Sequence, residues 1–212
     1  MHAYHRIHLG NTSINVKQSF DRLLLEPWLM DEDGMFIFRS YLQAKTGCEK
    51  YFSLCEHDAF FPSKRLSFYS SGVFDKYPKI RKDVAEEIMN LVFSKLLPLL
   101  PKTNYDVGIH QIRIETNDQQ SGEPTPESVH QAGFKYIAIY CSKIENIAGG
   151  DTTLIPHHDG GNDGVTFKIQ AGEAIIFNDA NYLHYTTPVV SLLPGKGVRD
   201  VFVITFDIEG EK

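Results

Sequence analysis

After Pro101 the sequence breaks into short apolar runs separated by Gly, Pro, Asn or Asp, and this cadence limits the available folds more than any other feature. The runs are YDVGIHQIRIE, FKYIAIYCSKI, DTTLIP, VTFKIQ, EAIIFND, YLHYTTPVV and RDVFVITFDIE. Each has the length of a strand rather than a helix, and several are rich in the β-branched and aromatic side chains that pack on a pleated surface. A parallel sheet would need a helical crossover of about a dozen residues or more between partner strands. No long amphipathic stretch separates these runs, so an antiparallel sandwich or barrel of jelly-roll type is expected.

The first hundred residues are mixed. INVKQSFDRLLL places Ile14, Phe20, Leu23 and Leu24 at loosely helical spacing, and GMFIFRSYL reads as a strand. In KDVAEEIMNLVFSKLLP the residues Val84, Ile88, Leu91, Val92 and Leu96 repeat as i, i+4, i+7, i+8, the stripe of a helix with one buried side, and Pro98 and Pro101 end it. This helix is expected to pack a core and to carry no chemistry. The predicted fold class is α+β, mainly β: a double-stranded β-helix (jelly roll) with a helical N-terminal layer. Residues 1–212 are expected to form a single domain, with 1–101 as mixed helical and strand support and 102–212 as the jelly-roll core.

A chain of 212 residues with 42% hydrophobic content can bury one core. Its net charge of -6 gives no basic footprint, which argues against a nucleic-acid partner and for a small-molecule one. Cys48, Cys55 and Cys141 are odd in number and form no C-x-x-C pair, so neither a disulfide framework nor a thiolate zinc site is expected. No apolar run approaches the roughly 18 residues that span a bilayer, and the N-terminus lacks a charged-then-apolar leader, so a cytoplasmic protein without membrane contact is the expectation. His2, His5 and His8 are three apart, but ligands so near a chain end are seldom preorganised, and a first strand or frayed end is the better reading.

Three residues of the β-rich half stand out by order and spacing. His130 lies at the mouth of one strand, His184 near the end of another, and Arg199 opens the last. The histidines are 54 residues apart (184 − 130), enough for the strands that bring two ligand-bearing strands of a jelly roll face to face. In RDVFVITFDIE, alternation puts Arg199, Val201, Val203 and Thr205 on one face and Phe202, Ile204 and Phe206 on the other. An arginine sharing a face with small residues points inward, and a buried cation is costly unless an anion meets it. A carboxylate ligand gripped by two parallel N–H donors would fit.

The blocks GIHQIRIE, HQAGF, NIAGGDTTLI, LHYTTPV and RDVFVITF come in the order and approximate spacing of a known family. The chain resembles the iron(II)/2-oxoglutarate amino-acid hydroxylases typified by L-isoleucine dioxygenase, well over residues 104 to 208 and faintly before, through FRSYL and FFPSKRLSFYSSGVF. The resemblance implies iron(II), 2-oxoglutarate as co-substrate, dioxygen, and a free amino acid or similar small metabolite as substrate. It implies His130 and His184 as iron ligands and Arg199 as the partner of the distal 2-oxoglutarate carboxylate. Thr187 and Pro188 match the block that follows the distal histidine.

The departure from the family pattern is Ala132, which stands where the resemblance calls for the aspartate of a facial iron triad. A methyl group binds no metal. Iron held by two neutral imidazoles should bind more weakly and depend on the co-substrate dianion. Three readings stay open. The vacancy could receive chloride, as in the related halogenases. Catalysis could be lost, by descent or by design. Or another ligand could serve, since PHHDGG offers His157, His158 and Asp159; yet His157 is only 27 residues from His184 (184 − 157), and the glycines of this run suit a polar hairpin.

Further candidates are substrate contacts. Gln111 and Arg113 share one face of their run while His110 takes the other, and Arg113 is the expected holder of a substrate carboxylate, with an ordinary salt bridge as the rival reading. Arg39 in FRSYL is a weaker candidate. Cys141, inside an apolar strand, is expected to be a small buried hydrophobe. SGEPTPES, before His130, is either a cover for the site or a plain connector. The function expected is a 2-oxoglutarate-dependent oxygenase; the rival is a non-catalytic 2-oxoglutarate-binding module.

Overall fold

The computed structural model describes residues 4–25, 37–47, 51–56, 77–125, 128–157 and 164–210. In chain order the described strands are β1 (Tyr4–His8), β2 (Leu24–Leu25), β3 (Ile37–Thr46), β4 (Phe52–Leu54), β5 (Tyr105–Thr116), β6 (Tyr136–Glu145), β7 (Ile147–Gly149), β8 (Thr152–Pro156), β9 (Val165–Phe167), β10 (Glu173–Asn178), β11 (Tyr182–Thr186), β12 (Val189–Ser191) and β13 (Gly197–Ile208). The helices are α1 (Ile14–Ser19) and α2 (Lys82–Leu91). All seven apolar runs hold a strand, and the sixth splits into β11 and β12 around Thr187 and Pro188.

The large sheet runs β1-β10-β6-β13-β5-β3-β2, with β4 also on β3, and every pairing is antiparallel. Facing it are two smaller sheets, β11-β8-β9 and β12-β7. This is the jelly roll expected from the cadence of the sequence. Both faces of the large sheet are buried, which is why its strands read as nearly continuous apolar runs instead of alternating ones.

One face carries Val107, Ile109, Ala138, Tyr140, Ile176, Phe202, Ile204 and Phe206 and packs on the helical layer. Val84, Ala85, Ile88, Met89, Val92 and Leu96 of α2 and its extension fill that layer. The helix predicted from periodicity therefore exists, and beyond Leu91 it loosens into a π turn (Val92–Leu96) and a short 3-10 turn (Leu97–Leu99). The 3-10 turn begins at a proline-bearing segment, where the missing N–H forbids an ordinary α-helical ladder. The opposite face carries Ile112, Ile114, Ile137, Ile139, Cys141, Ile175, Phe177 and Val201, which meet Leu154, Phe167, Tyr182 and Val189 of the small sheets. This second cluster is the interior of the jelly roll.

At the N-terminus His5 and His8 belong to β1, which pairs with β10. Being three apart in a strand they point to opposite faces, so they cannot share a metal. His2 and Cys48 lie outside the described residues, as do the whole FFPSKRLSFYSSGVF stretch, His158 and Asp159. Among the described residues no helix is long and apolar enough to cross a membrane.

Candidate active site

The two histidines singled out by spacing are direct neighbours. His130 and His184 form an isolated antiparallel bridge: the His130 N–H donates to the His184 carbonyl at 3.1 Å, and the His184 N–H to the His130 carbonyl at 2.8 Å. Their rings lie 4.5 Å apart between centroids. In a bridge of this kind two side chains leave the same face, so the backbone itself sets the rings side by side.

The other ring contacts fix which nitrogens are free. His130 Nδ1 is 3.0 Å from the Ser128 carbonyl oxygen. A carbonyl only accepts, so this nitrogen carries a proton, and in the neutral ring the lone pair is then on Nε2. His184 is 7% exposed and packs 5.2 Å from the Phe177 ring. Burial, helped by the neighbouring His130, pushes its pKa down to about 3. Near neutral pH the ring is therefore uncharged, the form that binds a metal.

Ala132 lies two residues on, 7% exposed, with its methyl group in the apolar interior cluster. The turn that carries it closes on Asp179, which is fully buried. One Asp179 oxygen accepts the Ala132 N–H at 3.3 Å; the other accepts the N–H groups of Gly133 at 2.6 Å and Phe134 at 3.1 Å. Gly133 sits at φ 88°, a left-handed conformation that lets successive N–H groups converge on one carboxylate. Burial raises the Asp179 pKa, and the three N–H donors oppose the rise.

Arg199 is 2% exposed at the start of β13, beside a register shift between Asp200 and Val201 in the pairing with β6. Parity holds: Val201 joins the interior cluster while Phe202, Ile204 and Phe206 face the helical layer. The stem of Arg199 runs between the sheets. A Cβ on Gly150 would lie 2.9 Å from its Cδ and 3.1 Å from its Nε, so any larger residue there would displace the arginine. Burial lowers the Arg199 pKa, partly offset by the nearby Cys141 and Asp151, and its Nη2 has no hydrogen-bond partner. Burial also pushes the Cys141 thiol up to about 11, so it is a neutral neighbour.

Thr187 links the two parts of the site. Its N–H donates to the Asp151 carbonyl at 2.9 Å and its hydroxyl accepts the Asp151 N–H at 3.0 Å, close to Arg199. Three residues along the chain from His184 cover about 10 Å in extended form, a span that a five-carbon diacid held at both ends can bridge. The SGEPTPES segment is laced to the same edge: Thr125 Oγ1 donates to the Thr186 carbonyl at 2.9 Å and accepts the Thr186 N–H at 2.8 Å.

The two substrate-contact candidates of β5, Gln111 and Arg113, have protein partners. Gln111 and Arg113 lie on the face toward α1, away from the histidines. Gln111 Nε2 donates to Ser19 Oγ at 2.6 Å and its Oε1 accepts from Ser40 Oγ at 3.2 Å. Arg113 grips Asp200 with two bonds of 2.7 and 2.8 Å and Asp21 with a third of 2.7 Å. Burial opposes its charge, but these carboxylates more than restore it and its pKa is raised. With its donors so engaged, Arg113 is a structural cation. The interior face of β5 carries His110, whose ring lies 4.5 Å from that of Tyr41 and 6.4 Å from that of Tyr77. Arg39 belongs to this group: its Nη1 donates to Tyr77 Oη at 3.0 Å and its guanidinium lies 5.1 Å over the Tyr77 ring. The sequence did contain the signal for His110, since alternation separates it from Gln111 and Arg113; only the choice of face was open.

Among the described residues no three His, Cys, Asp or Glu side chains are arranged to hold a metal. Two neighbouring imidazoles nevertheless fit a metal that draws its remaining donors from a chelating keto acid, and the buried guanidinium, its Nη2 unpartnered among the described residues, fits the distal carboxylate of that acid. His157, from the alternative ligand run, donates its backbone N–H to the Asn181 carbonyl at 2.9 Å.

Comparison with known structures agrees with this fold. A bsmA homolog from Methylobium petroleophilum PM1 superposes with a TM-score of 0.75 at 18% identity, over 93% of this chain and 81% of that one. IDO from Bacillus thuringiensis gives 0.71 at 16% identity, over 98% and 94%. The Fe(II)/(alpha)ketoglutarate-dependent dioxygenase TqaL gives 0.65 at 13% identity, over 99% and 84%. A search of curated protein sequences returns no match. The family model described as 2OG-Fe dioxygenase matches residues 17–205, which takes in α2, both histidines and Arg199. The chain belongs to the 2OG-Fe dioxygenase family, and with it to a chemistry of iron(II), 2-oxoglutarate and dioxygen.

Proposed function

We propose that this protein is an iron(II)/2-oxoglutarate-dependent oxygenase that hydroxylates a free amino acid or similar small polar metabolite, with Ala132 in place of the usual carboxylate ligand. His130 and His184 would hold the iron through Nε2, and Arg199 would hold the distal carboxylate of 2-oxoglutarate, with Thr187 beside it. Activation of dioxygen, coupled to loss of carbon dioxide from the keto acid, is the chemistry that bound iron would supply. The chain's own residues orient and shield. Phe177 and the apolar cluster keep water from His184, and Arg39 with Tyr77 and His110 offers the substrate carboxylate a cationic, aromatic end of the interior.

The observation that carries the reading is Arg199, a buried cation whose Nη2 is unpartnered among the described residues, on the large sheet that the small, His184-bearing sheet faces. Ala132 supports two further readings. A methyl packed among apolar side chains suits a module that binds 2-oxoglutarate without turnover, and the missing anion suits chloride at the iron.

One assay separates them. The protein and Ala132→Asp are incubated with iron(II), 2-oxoglutarate, ascorbate, chloride and a pool of free amino acids, and succinate and product masses are read. Restoring a third ligand is expected to tighten iron and give a product one oxygen heavier, with succinate formed in step. A chlorinated amino acid from the unaltered protein would replace hydroxylation with halogen transfer. Succinate from neither form would leave the binding module.

A further inference from the structure

We propose that Asp179 is a positioning residue for the histidine pair: one carboxylate holds both the turn that carries His130 and Ala132 and the ring of His184. The carboxylate is fully buried, and its oxygens take the N–H groups of Ala132, Gly133 and Phe134. Its own carbonyl accepts Gln131 Nε2 at 2.7 Å, which adds residue 131 to the same hold. The second observation comes from the other ligand strand. His184 Nδ1 is buried and, among the described residues, without a hydrogen-bond partner, and it lies 3.5 Å from Asp179 Oδ1.

At 3.5 Å the contact is too long for a hydrogen bond, but a small ring rotation closes it. An ionised carboxylate only accepts, so the closing proton has to sit on His184 Nδ1. That assigns the tautomer: Nδ1 protonated, Nε2 with the lone pair. His130 reaches the same tautomer through the Ser128 carbonyl. Both rings thus present the same nitrogen, one oriented by a backbone oxygen and one by Asp179. Carboxylates placed behind metal-binding imidazoles orient the ring and raise its basicity. In a site whose ligand position 132 is a methyl group, Asp179 is the carboxylate that meets both ligand segments.

Only the metal-affinity arm below rests on the proposed iron site; the tautomer does not. The 15N-labelled protein, free of metal, is examined by long-range 1H–15N correlation of its histidine rings near pH 7.5. His184 is expected as the Nδ1–H tautomer, shifting toward Nε2–H in Asp179→Asn. An Nε2–H tautomer in the unaltered protein would overturn the proposal, and this arm holds even if the variant fails to fold. Cobalt(II) is then titrated into both forms by calorimetry, with an expected loss of roughly 10–100-fold in affinity for Asp179→Asn. Unchanged tautomer and affinity in a folded variant would reduce Asp179 to a cap on the turn. The expected tautomers without cobalt binding to either form would support the positioning role and count against the iron reading.

Discussion

Replacing Arg199 with methionine should move stability and ligand response in opposite directions. The arginine is 2% exposed, burial lowers its pKa, and Nη2 has no partner. Replacing buried ionic groups with apolar side chains of similar volume is often stabilising, by about 1–4 kcal/mol. At roughly 2–4 °C per kcal/mol for a chain of this size, the ligand-free variant should melt about 2–16 °C higher. Asp151, half-buried and with one unpartnered oxygen, loses its cationic neighbour, so Arg199→Met combined with Asp151→Asn serves as the control for the carboxylate left behind. The ligand response runs the other way. Two charge-assisted hydrogen bonds of about 1.5–3 kcal/mol each would be lost, weakening 2-oxoglutarate by roughly 100-fold or more. Thermal melts with and without 2-oxoglutarate read both effects. The unaltered protein at a ligand concentration of about 100 times Kd should gain about 2.7 kcal/mol, and the variant almost none. A variant that melts lower and still responds to 2-oxoglutarate would make Arg199 a satisfied structural cation and refute the reasoning.

Arg113→Met should be destabilising by about 3–5 kcal/mol, because it strands the buried Asp200 carboxylate; chemical denaturation measures this, and Asp200→Leu added to it should recover much of the loss. His110 gives a pH signature. Burial, aided by Arg39, holds its pKa well below the ordinary histidine value, so the unfolded chain binds a proton near pH 6.5 that the native ring refuses. The unfolded state binds more protons, so stability is full above about pH 6.5 and falls as the pH drops below it, by about 1.4 kcal/mol per unit for this group. His110→Gln should flatten the stability profile between pH 6.5 and 5 by about that slope; identical slopes would mean that native His110 takes up its proton as freely as the unfolded chain. The Ala132→Asp and Asp179→Asn experiments complete the set.

Much of this protein was legible in one dimension because local rules carried it. The strand runs, the stripe of α2 and the alternation in RDVFVITFDIE depend only on neighbours in sequence, and each survived into the fold. The departure at Ala132 is likewise a matter of residue type, since no packing turns a methyl group into a ligand. Which face of β5 turns inward was another matter. Alternation separates His110 from Arg113, but both faces of the sheet are buried, so hydrophobic pattern cannot name the interior one. The helical layer decides it by supplying Asp21 and Ser19 to Arg113 and Gln111. Asp179 was equally hidden, since its partners lie 45–48 residues away in sequence and meet it only when the turn before β6 folds against the end of β10. Sequence alone named His130, His184 and Arg199 as candidates and Ala132 as the departure from the family pattern. Tertiary structure decided which of them meet, because ring orientation and the burial of an unpaired cation come from contacts between strands that the chain order keeps far apart.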